Sequence, residues 1–235
     1  MIYAAVLAGG NGLRMGGEIP KQFLSVAGRP IIIRSIDAFV KSGLTDKIYV
    51  AVSTDYLDYT KKLVDSYYSD ENIIVTAGGK NRNETLFNVL KEIESKGISE
   101  QDIILTHDAV RPFIDDRIIR DNIDCVKKYG ACNTVVPAVD TMVRSVNGDF
   151  IDSIPVRNEL YHGQTPQSFN ARILLDLYEN LTAEESEIYT DACSVFIKNN
   201  MKIHLVQGDR NNIKLTYPED MEKAEIIIEN REKNK

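Results

Sequence analysis

Ile2-Tyr3-Ala4-Ala5-Val6-Leu7-Ala8-Gly9-Gly10-Asn11-Gly12-Leu13-Arg14-Met15-Gly16-Gly17, followed by Pro20-Lys21-Gln22, is the stretch on which the fold turns. Ile2 to Leu7 is apolar, β-prone and stopped by glycines, so it reads as a buried strand. Gly9, Gly10 and Gly12 carry no Cβ. The chain there can take φ > 0 and bring several backbone N–H groups onto one anion. Two cations follow, Arg14 and Lys21. A strand, an amide cradle and two positive charges form a layout for gripping a polyphosphate. No Gly-Lys-Ser/Thr closes the loop, so it is not a P-loop. It is also a poor dinucleotide fingerprint: Met15 stands where Gly or Ala is needed, and no acidic residue ends a second strand at the right distance. The glycines alone would suit a tight structural turn equally well; the two cations favour the phosphate. A nucleoside triphosphate attacked at its α-phosphate needs positive charge there and on the departing pyrophosphate. Each well-placed donor is worth roughly 3–4 kcal/mol.

Outward from that loop, strands and helices alternate. Pro30 suits the first turn of a helix whose apolar residues at 32, 36, 39 and 40 form one stripe, and Gly43 ends it. Lys47 to Val52 reads as a second strand and Tyr56 to Tyr68 as an amphipathic helix. Ile73 to Ala77 reads as a third strand, closed by Gly78-Gly79. Asn83 to Ser95 is helical, and Ile103 to Thr106 is a fourth strand. Asp115 or Asp116 caps a helix to Tyr129, and Thr134 to Val136 is a fifth strand. The expectation is an α/β, Rossmann-like, mostly parallel sheet with helices on both faces. Ligands in such sheets sit outside the carboxyl ends of the strands, so the glycine loop, Gly78-Gly79 and His107-Asp108 should share one face.

The pattern then changes. Asn147-Gly148 between two β-prone runs predicts a hairpin, a protruding β-arm at residues 138–165. Tyr161 to Phe169 reads as a polar loop. Helices are expected from Ala171 to Asn180, from about Ala183, from Asp191 to Lys198 and from Pro218 to Glu229. Lys202 to Gln207 and Asn212 to Thr216 read as strands. No linker is visible, so residues 1–235 read as one domain with an arm.

Composition narrows the function. The net charge of -7 argues against nucleic acid as a partner, since neutralising phosphates takes a basic surface. Cys125, Cys132 and Cys193 show no metal spacing and no even pairing, which fits free thiols in a reducing compartment. No apolar run approaches the roughly 18 residues of a membrane span, and no signal peptide precedes the first strand, so a cytoplasmic protein is expected.

Asp108 ends an apolar strand, with Arg111 three residues on. It reads either as a local ion pair or as a Mg²⁺ ligand, since Mg²⁺ needs only one or two carboxylates beside substrate phosphates. His107 reads as a packed, hydrogen-bonded residue rather than a base. Gly78 to Thr85 joins a strand to a helix and can present amides and hydroxyls to a base or phosphate. Asp140, Thr141, Arg157, Thr165, Thr190 and Lys214 form a second polar set, in which Arg157 and Lys214 suit a second phosphate if they share a pocket.

These residues resemble the cytidylyltransferases that couple CTP to a polyol phosphate, with either 2-C-methyl-D-erythritol 4-phosphate or ribitol 5-phosphate as acceptor. The resemblance covers nearly the whole chain. It rests on Leu7 to Gly10, Arg14 to Gly16, Pro20 to Phe23, Gly78-Gly79 with Arg82 to Thr85, and His107 to Phe113. Asp140-Thr141, Gln164 to Phe169, Thr190 to Ala192 and Asn212 to Lys214 complete it. It implies a nucleotidyltransferase-type fold and Mg²⁺-dependent CMP transfer with release of pyrophosphate. Arg14, Lys21, Arg157 and Lys214 would be catalytic. Leu7, Ala8, Gly9, Gly10, Gly79, Asn81, Arg82, Asn83, Thr85, Asp108, Ala109 and Arg111 would bind the nucleotide, with Asp108 near the metal. Asp140, Thr141, Arg157, Thr165, Thr190 and Lys214 would bind the acceptor. It also implies a homodimer in which the arm embraces the partner and lends Arg157 to its site.

Ile154-Pro155-Val156-Arg157-Asn158-Glu159, Tyr161 with Gly163-Gln164, and Asp191-Ala192-Cys193 are closer to the ribitol-5-phosphate branch, so CDP-ribitol for teichoic acid or capsule synthesis is the expected product. His162 and Leu215-Thr216-Tyr217 depart from that branch, and methylerythritol 4-phosphate is the alternative acceptor. A non-catalytic nucleotide-binding scaffold would not need Arg14, Lys21 and Asp108 together. A nicotinamide-dependent oxidoreductase would need the missing fingerprint.

Overall fold

The structure is a computed structural model that describes residues 1–9, 19–189 and 191–233. Its first half runs β1 (Ile2–Ala8), β2 (Ser25–Val26), β3 (Arg29–Pro30), α1 (Ile31–Ser42), β4 (Lys47–Val52), α2 (Leu57–Asp65), β5 (Ile73–Ala77), α3 (Arg82–Ser95), β6 (Ile103–Asp108) and α4 (Asp116–Tyr129). The second half runs β7 (Ala131–Pro137), β8 (Tyr161–Asn170), α5 (Ala171–Glu179), α6 (Ala183–Ile188), α7 (Ala192–Lys198), β9 (His204–Gln207) and α8 (Glu219–Lys233).

Seven strands form one sheet in the order β5-β4-β1-β6-β8-β7-β9. β1 pairs in parallel with β4 and β6, β4 with β5, and β7 with β9. Only β8 runs against its neighbours. The sheet is therefore mostly parallel, as the alternation of strands and helices predicts. Side chains of a strand point alternately to opposite faces. Accordingly Ala4, Val6 and Ala8 of β1 pack under α1, α2 and α4. Tyr3, Ala5 and Leu7 pack under α3, α5 and α7. Each fully buried Ile, Leu, Val or Phe contributes about 1.5–3 kcal/mol, and both layers are rich in them. A third, smaller cluster seats α8 on Val26, Ile31, Val110, Phe113 and Leu215.

Local chemistry sets the element ends. Pro30 precedes α1, whose carboxyl end is closed by Gly43 at φ 60. Asn81 accepts from the Glu84 amide and starts α3. Asp115, Asn170 and Asp191 do the same for α4, α5 and α7. Thr182 and Glu185 form a reciprocal capping box on α6.

Four expectations need correction. Tyr161 to Phe169 is not a loop but most of β8, hydrogen-bonded on both sides. Its register against β7 shifts between Asn133 and Val135, a bulge that receives Pro166 where the ladder asks for no N–H. Gln164, Thr165, Gln167 and Ser168 are buried there, so the strand carries none of the apolar alternation by which strands are read. Asn212 to Thr216 is not a strand; it crosses the sheet's mouth as irregular chain held by side-chain bonds. The arm turns at Gly148, φ 86, but its ladder is a single antiparallel bridge between Arg144 and Ser153, and residues 161–165 belong to the sheet. The helix read from Tyr56 is a 3-10 turn, Thr54–Tyr56, leading into the shorter α2.

Candidate active site

The carboxyl ends of β1, β4, β5 and β6 open onto one cleft of about 870 Å³. Leu7, Ala8 and Gly9 form its floor, Ser53 to Asp55 one rim, and Gly78 to Arg82 with Glu84 and Thr85 another. Asp108, Ala109 and Val110 close the back, with Lys21, Gln22 and Lys214 beside them. A parallel sheet places a ligand there because loops leaving successive strands diverge at that edge.

Asp108 is the electrostatic centre. Its Oδ1 lies 2.5 Å from Arg82 Nη1, and its Oδ2 lies 2.9 Å from Lys214 Nζ and 3.5 Å from Arg111 Nε. Burial pushes the carboxyl upward, but Arg82, Lys214 and Arg111 outweigh it and hold the group well below the usual carboxylate range. Asp108 is thus an anion at any ordinary pH, and it gathers three cations that start on α3, after β6 and before α8. Lys21 is anchored separately: its Nζ donates to the Leu215 carbonyl at 3.0 Å. Gln22 Nε2 donates to the Ala8 carbonyl at 2.9 Å, tying the 3-10 turn Lys21–Phe23 to the end of β1.

Behind Asp108, His107 is completely buried. Its Nε2 lies 2.9 Å from the Arg111 carbonyl, which can only accept, so Nε2 carries the proton. Nδ1 then accepts from the Thr165 hydroxyl at 3.0 Å. The Thr165 oxygen in turn accepts from the Asp108 amide at 3.1 Å. Burial lowers the imidazole to about 4, so it is neutral and structural, as expected.

At the second rim the backbone approach is close. A Cβ on Gly79 would fall 2.3 Å from Glu84 Cγ and 2.8 Å from the Glu84 carbonyl carbon, so the position has no room for a side chain. Two of the amides expected to face a ligand are taken internally. Gly79 N–H donates to Thr85 Oγ1 at 3.0 Å and Lys80 N–H to Glu84 Oε2 at 2.8 Å. Lys80 and Arg82 line the cleft along this rim, beside the start of α3.

Of the expected site residues, Leu7, Ala8, Gly9, Lys21, Gly79, Asn81, Arg82, Thr85, Asp108, Ala109 and Lys214 meet in the cleft. Gly10, Arg14 and Thr190 lie outside the described residues. Asn83 faces away: its amide donates to the Tyr189 carbonyl and, at 3.2 Å, to that of Ser186, and it accepts from the Tyr178 hydroxyl at 3.0 Å. Those bonds tie α3 to α5, to α6 and to Tyr189 just after it. Arg111 and Thr165 stand behind Asp108 rather than lining the cleft. Asp140, Thr141 and Arg157 are exposed on the arm and do not line it either. Gln22, Lys80 and Glu84, which belong to stretches already read as site-forming, line the cleft too, and Ser53, Thr54 and Asp55 line it without having been singled out. The rule that flagged the ends of β1 and β5 also covers Ser53 to Asp55, which follow β4.

The donor set bears on Mg²⁺. Among the described residues no cluster of three or more His, Cys, Asp or Glu could hold a metal. Asp108, at the end of β6, is already paired with three cations and shares the cleft with Asp55 and Glu84. The residues fit a Mg²⁺ carried in by a triphosphate, with phosphate oxygens and waters as the main ligands and Asp108 supplying at most one.

A family model described as IspD: 2-C-methyl-D-erythritol 4-phosphate cytidylyltransferase matches residues 2–230. The chain belongs to this family. It is a cytidylyltransferase, and CTP is its nucleotide substrate. Among solved structures, 4-diphosphocytidyl-2C-methyl-D-erythritol synthase from Anaerococcus prevotii is 27% identical, with a TM-score of 0.79 over 97% of this chain and 96% of that one. The 2-C-methyl-D-erythritol 4-phosphate cytidylyltransferase of Francisella tularensis is 26% identical, with a TM-score of 0.79 over 95% and 97%. The enzyme of that name from Thermus thermophilus, 21% identical over 96% and 98% with a TM-score of 0.71, shares the fold of this cytidylyltransferase.

Proposed function

We propose that the protein transfers CMP from CTP to 2-C-methyl-D-erythritol 4-phosphate and releases pyrophosphate. The observation that carries the chemistry is the convergence of Arg82 and Lys214 on Asp108 in a cleft that also holds Lys21. The family and its solved relatives favour this acceptor over ribitol 5-phosphate. An oxygen of the acceptor phosphate attacks the α-phosphorus of CTP, and the bond to the bridging oxygen of the β-phosphate breaks. The nucleophile is already anionic, so no general base is needed, in keeping with a neutral, buried His107. Lys21 and Arg82 would neutralise the charge that moves onto the α-phosphate and pyrophosphate. Arg14 joins them on resemblance alone. Lys214 would leave Asp108 to hold the acceptor phosphate, and a Mg²⁺ bound with CTP would supply further charge neutralisation.

The arm supports a second part of the proposal. Val139, Val143, Val146, Phe150, Ile151 and Ile154 are all at least half exposed, an apolar band of the kind that marks an interface. We assign it to a second copy of the chain, whose cleft would receive Arg157, with Asp140, Thr141 and Thr190 beside the acceptor. The chain would act as one cytidylyltransferase domain per subunit. Three free cysteines, and no helix long and apolar enough to cross a membrane among the described residues, accord with a cytoplasmic enzyme.

Ribitol 5-phosphate is the second reading, favoured by Ile154 to Glu159, Tyr161 and Asp191 to Cys193. Pyrophosphate release from CTP and Mg²⁺ with each polyol phosphate separates the two. Release with methylerythritol 4-phosphate supports the proposal. Release with ribitol 5-phosphate alone replaces the acceptor. Silence with both overturns acceptor and mechanism together.

A further inference from the structure

Lys214 reaches Asp108 from a segment with no regular structure, between the end of β9 at Gln207 and the start of α8 at Glu219. Its own side chain is 44% exposed. A flexible ammonium on irregular chain loses its aim unless the backbone beneath it is fixed. Two residues earlier, Asn212 is completely buried. Its carbonyl accepts from Arg111 Nη1 at 2.8 Å. Its Nδ2 donates to the Thr165 carbonyl at 2.9 Å and makes a longer contact, 3.4 Å, with Gln164 Oε1. Arg111 and Thr165 are the same residues that hold Asp108, through its Oδ2 at 3.5 Å and its amide at 3.1 Å. A closed ring therefore runs Asp108, Arg111, Asn212, Thr165 and back to Asp108, with Lys214 aimed across it. On the other side of Lys214, Leu215 is pinned independently, its amide donating to the Val110 carbonyl at 2.9 Å.

We propose that Asn212 is a positioning residue that sets the reach of Lys214 toward the transferring phosphates. It touches no substrate and acts only through Lys214, so the proposal rests on Lys214 working in transfer. Asn212 would thus be fixed by geometry, not by packing: leucine would fill its volume and lose both bonds.

The test is a cycle of Asn212→Ala and Lys214→Ala, read as kcat and KM with CTP, Mg²⁺ and whichever of the two polyol phosphates supports pyrophosphate release. Thermal unfolding is followed in parallel. Asn212→Ala alone should move the same kinetic constant as Lys214→Ala, by at least about fivefold, and add less than about twofold once Lys214 is gone. If Asn212→Ala does not fold, Asn212→Ser, which keeps a short donor, carries the same cycle. Full multiplication of the two defects overturns the proposal, because a generally structural residue would add its cost regardless of Lys214. Lys214→Ala slowing transfer while Asn212→Ala does not overturns the positioning role alone. Wild-type turnover in Lys214→Ala removes Lys214 from the mechanism and this proposal with it.

Discussion

Replacing Lys21 by alanine removes an ammonium that lies deep in the cleft with its Nζ on the Leu215 carbonyl. Donors aimed at charge that develops in the transition state are worth about two orders of magnitude or more in rate. Lys21→Ala should therefore lower turnover at least about a hundredfold with the circular dichroism spectrum unchanged; undiminished turnover would take Lys21 out of its role. His107 makes a prediction of a different kind. Its folded value, near 4, lies below the ordinary 6.5. Between those values the unfolded chain binds a proton that the native chain refuses. Stability is therefore full above about pH 6.5 and falls as pH drops toward 4, by up to about 3 kcal/mol. Urea titrations at several pH values should show that slope in the wild type and a shallower one in His107→Asn. Parallel slopes would mean the proton is bound elsewhere. Asp108 works the other way: its stabilisation, held by Arg82 and Lys214, is present above the ordinary carboxylate range and is lost only in strong acid.

At the scale of the element, α3 shows how stability and site share residues. Asn81 caps the helix by accepting from the Glu84 amide at 2.9 Å and also lines the cleft. Asn81→Ala should cost about 1 kcal/mol in denaturant unfolding, and a null result there would show that Thr85 and Glu84 close the helix end unaided. Elements of this sort were legible in the sequence. Ile73–Ala77 is mostly apolar and closed by Gly78-Gly79, and α4 has Asp115 before it and Gly130 after it. β8 was not legible, because its buried residues include Gln164, Thr165, Gln167 and Ser168, held by bonds such as that from the Ser168 hydroxyl to Asn122 Oδ1 at 2.9 Å. Pattern reading detects burial through apolar residues, so a polar strand in mid-sheet is invisible to it. The candidate site divides the same way. Lys21, Asp108 and Lys214 could be chosen as charges at strand ends, but that Arg82 and Lys214 both close on Asp108 is a fact of three dimensions. Asn83 drew attention beside Arg82 in sequence, yet one residue of helix turns it by about 100°, toward Tyr178 and Tyr189 instead.

For the whole molecule the exposed apolar arm carries the test of the second copy. If a second copy covers it, Phe150→Asp together with Ile151→Asp should halve the mass seen by sedimentation equilibrium while leaving each subunit folded. A mass equal to the wild type would remove the band from the interface. A shared site makes a sharper demand. Lys21→Ala and Arg157→Ala proteins, each slow alone, should regain turnover when their subunits are exchanged, because one hybrid cleft then has an intact Lys21 and an intact partner arm. No recovery, with exchange shown to occur, would return Arg157 to its own subunit.

The bond from Lys21 to the Leu215 carbonyl spans 194 positions of the chain. It is a seam between the first strand's neighbourhood and the last stretch before α8, and the cleft proposed to take the nucleotide lies along it. During synthesis the glycine loop emerges early and waits; the cleft has no Lys214, no Leu215 carbonyl and no Asn212 until nearly all of the chain is out. Contacts of such separation are the slowest to form. Binding of CTP would therefore report on completion of the chain itself, and a fragment ending before residue 212, however well its sheet assembles, should emerge without a grip on the triphosphate.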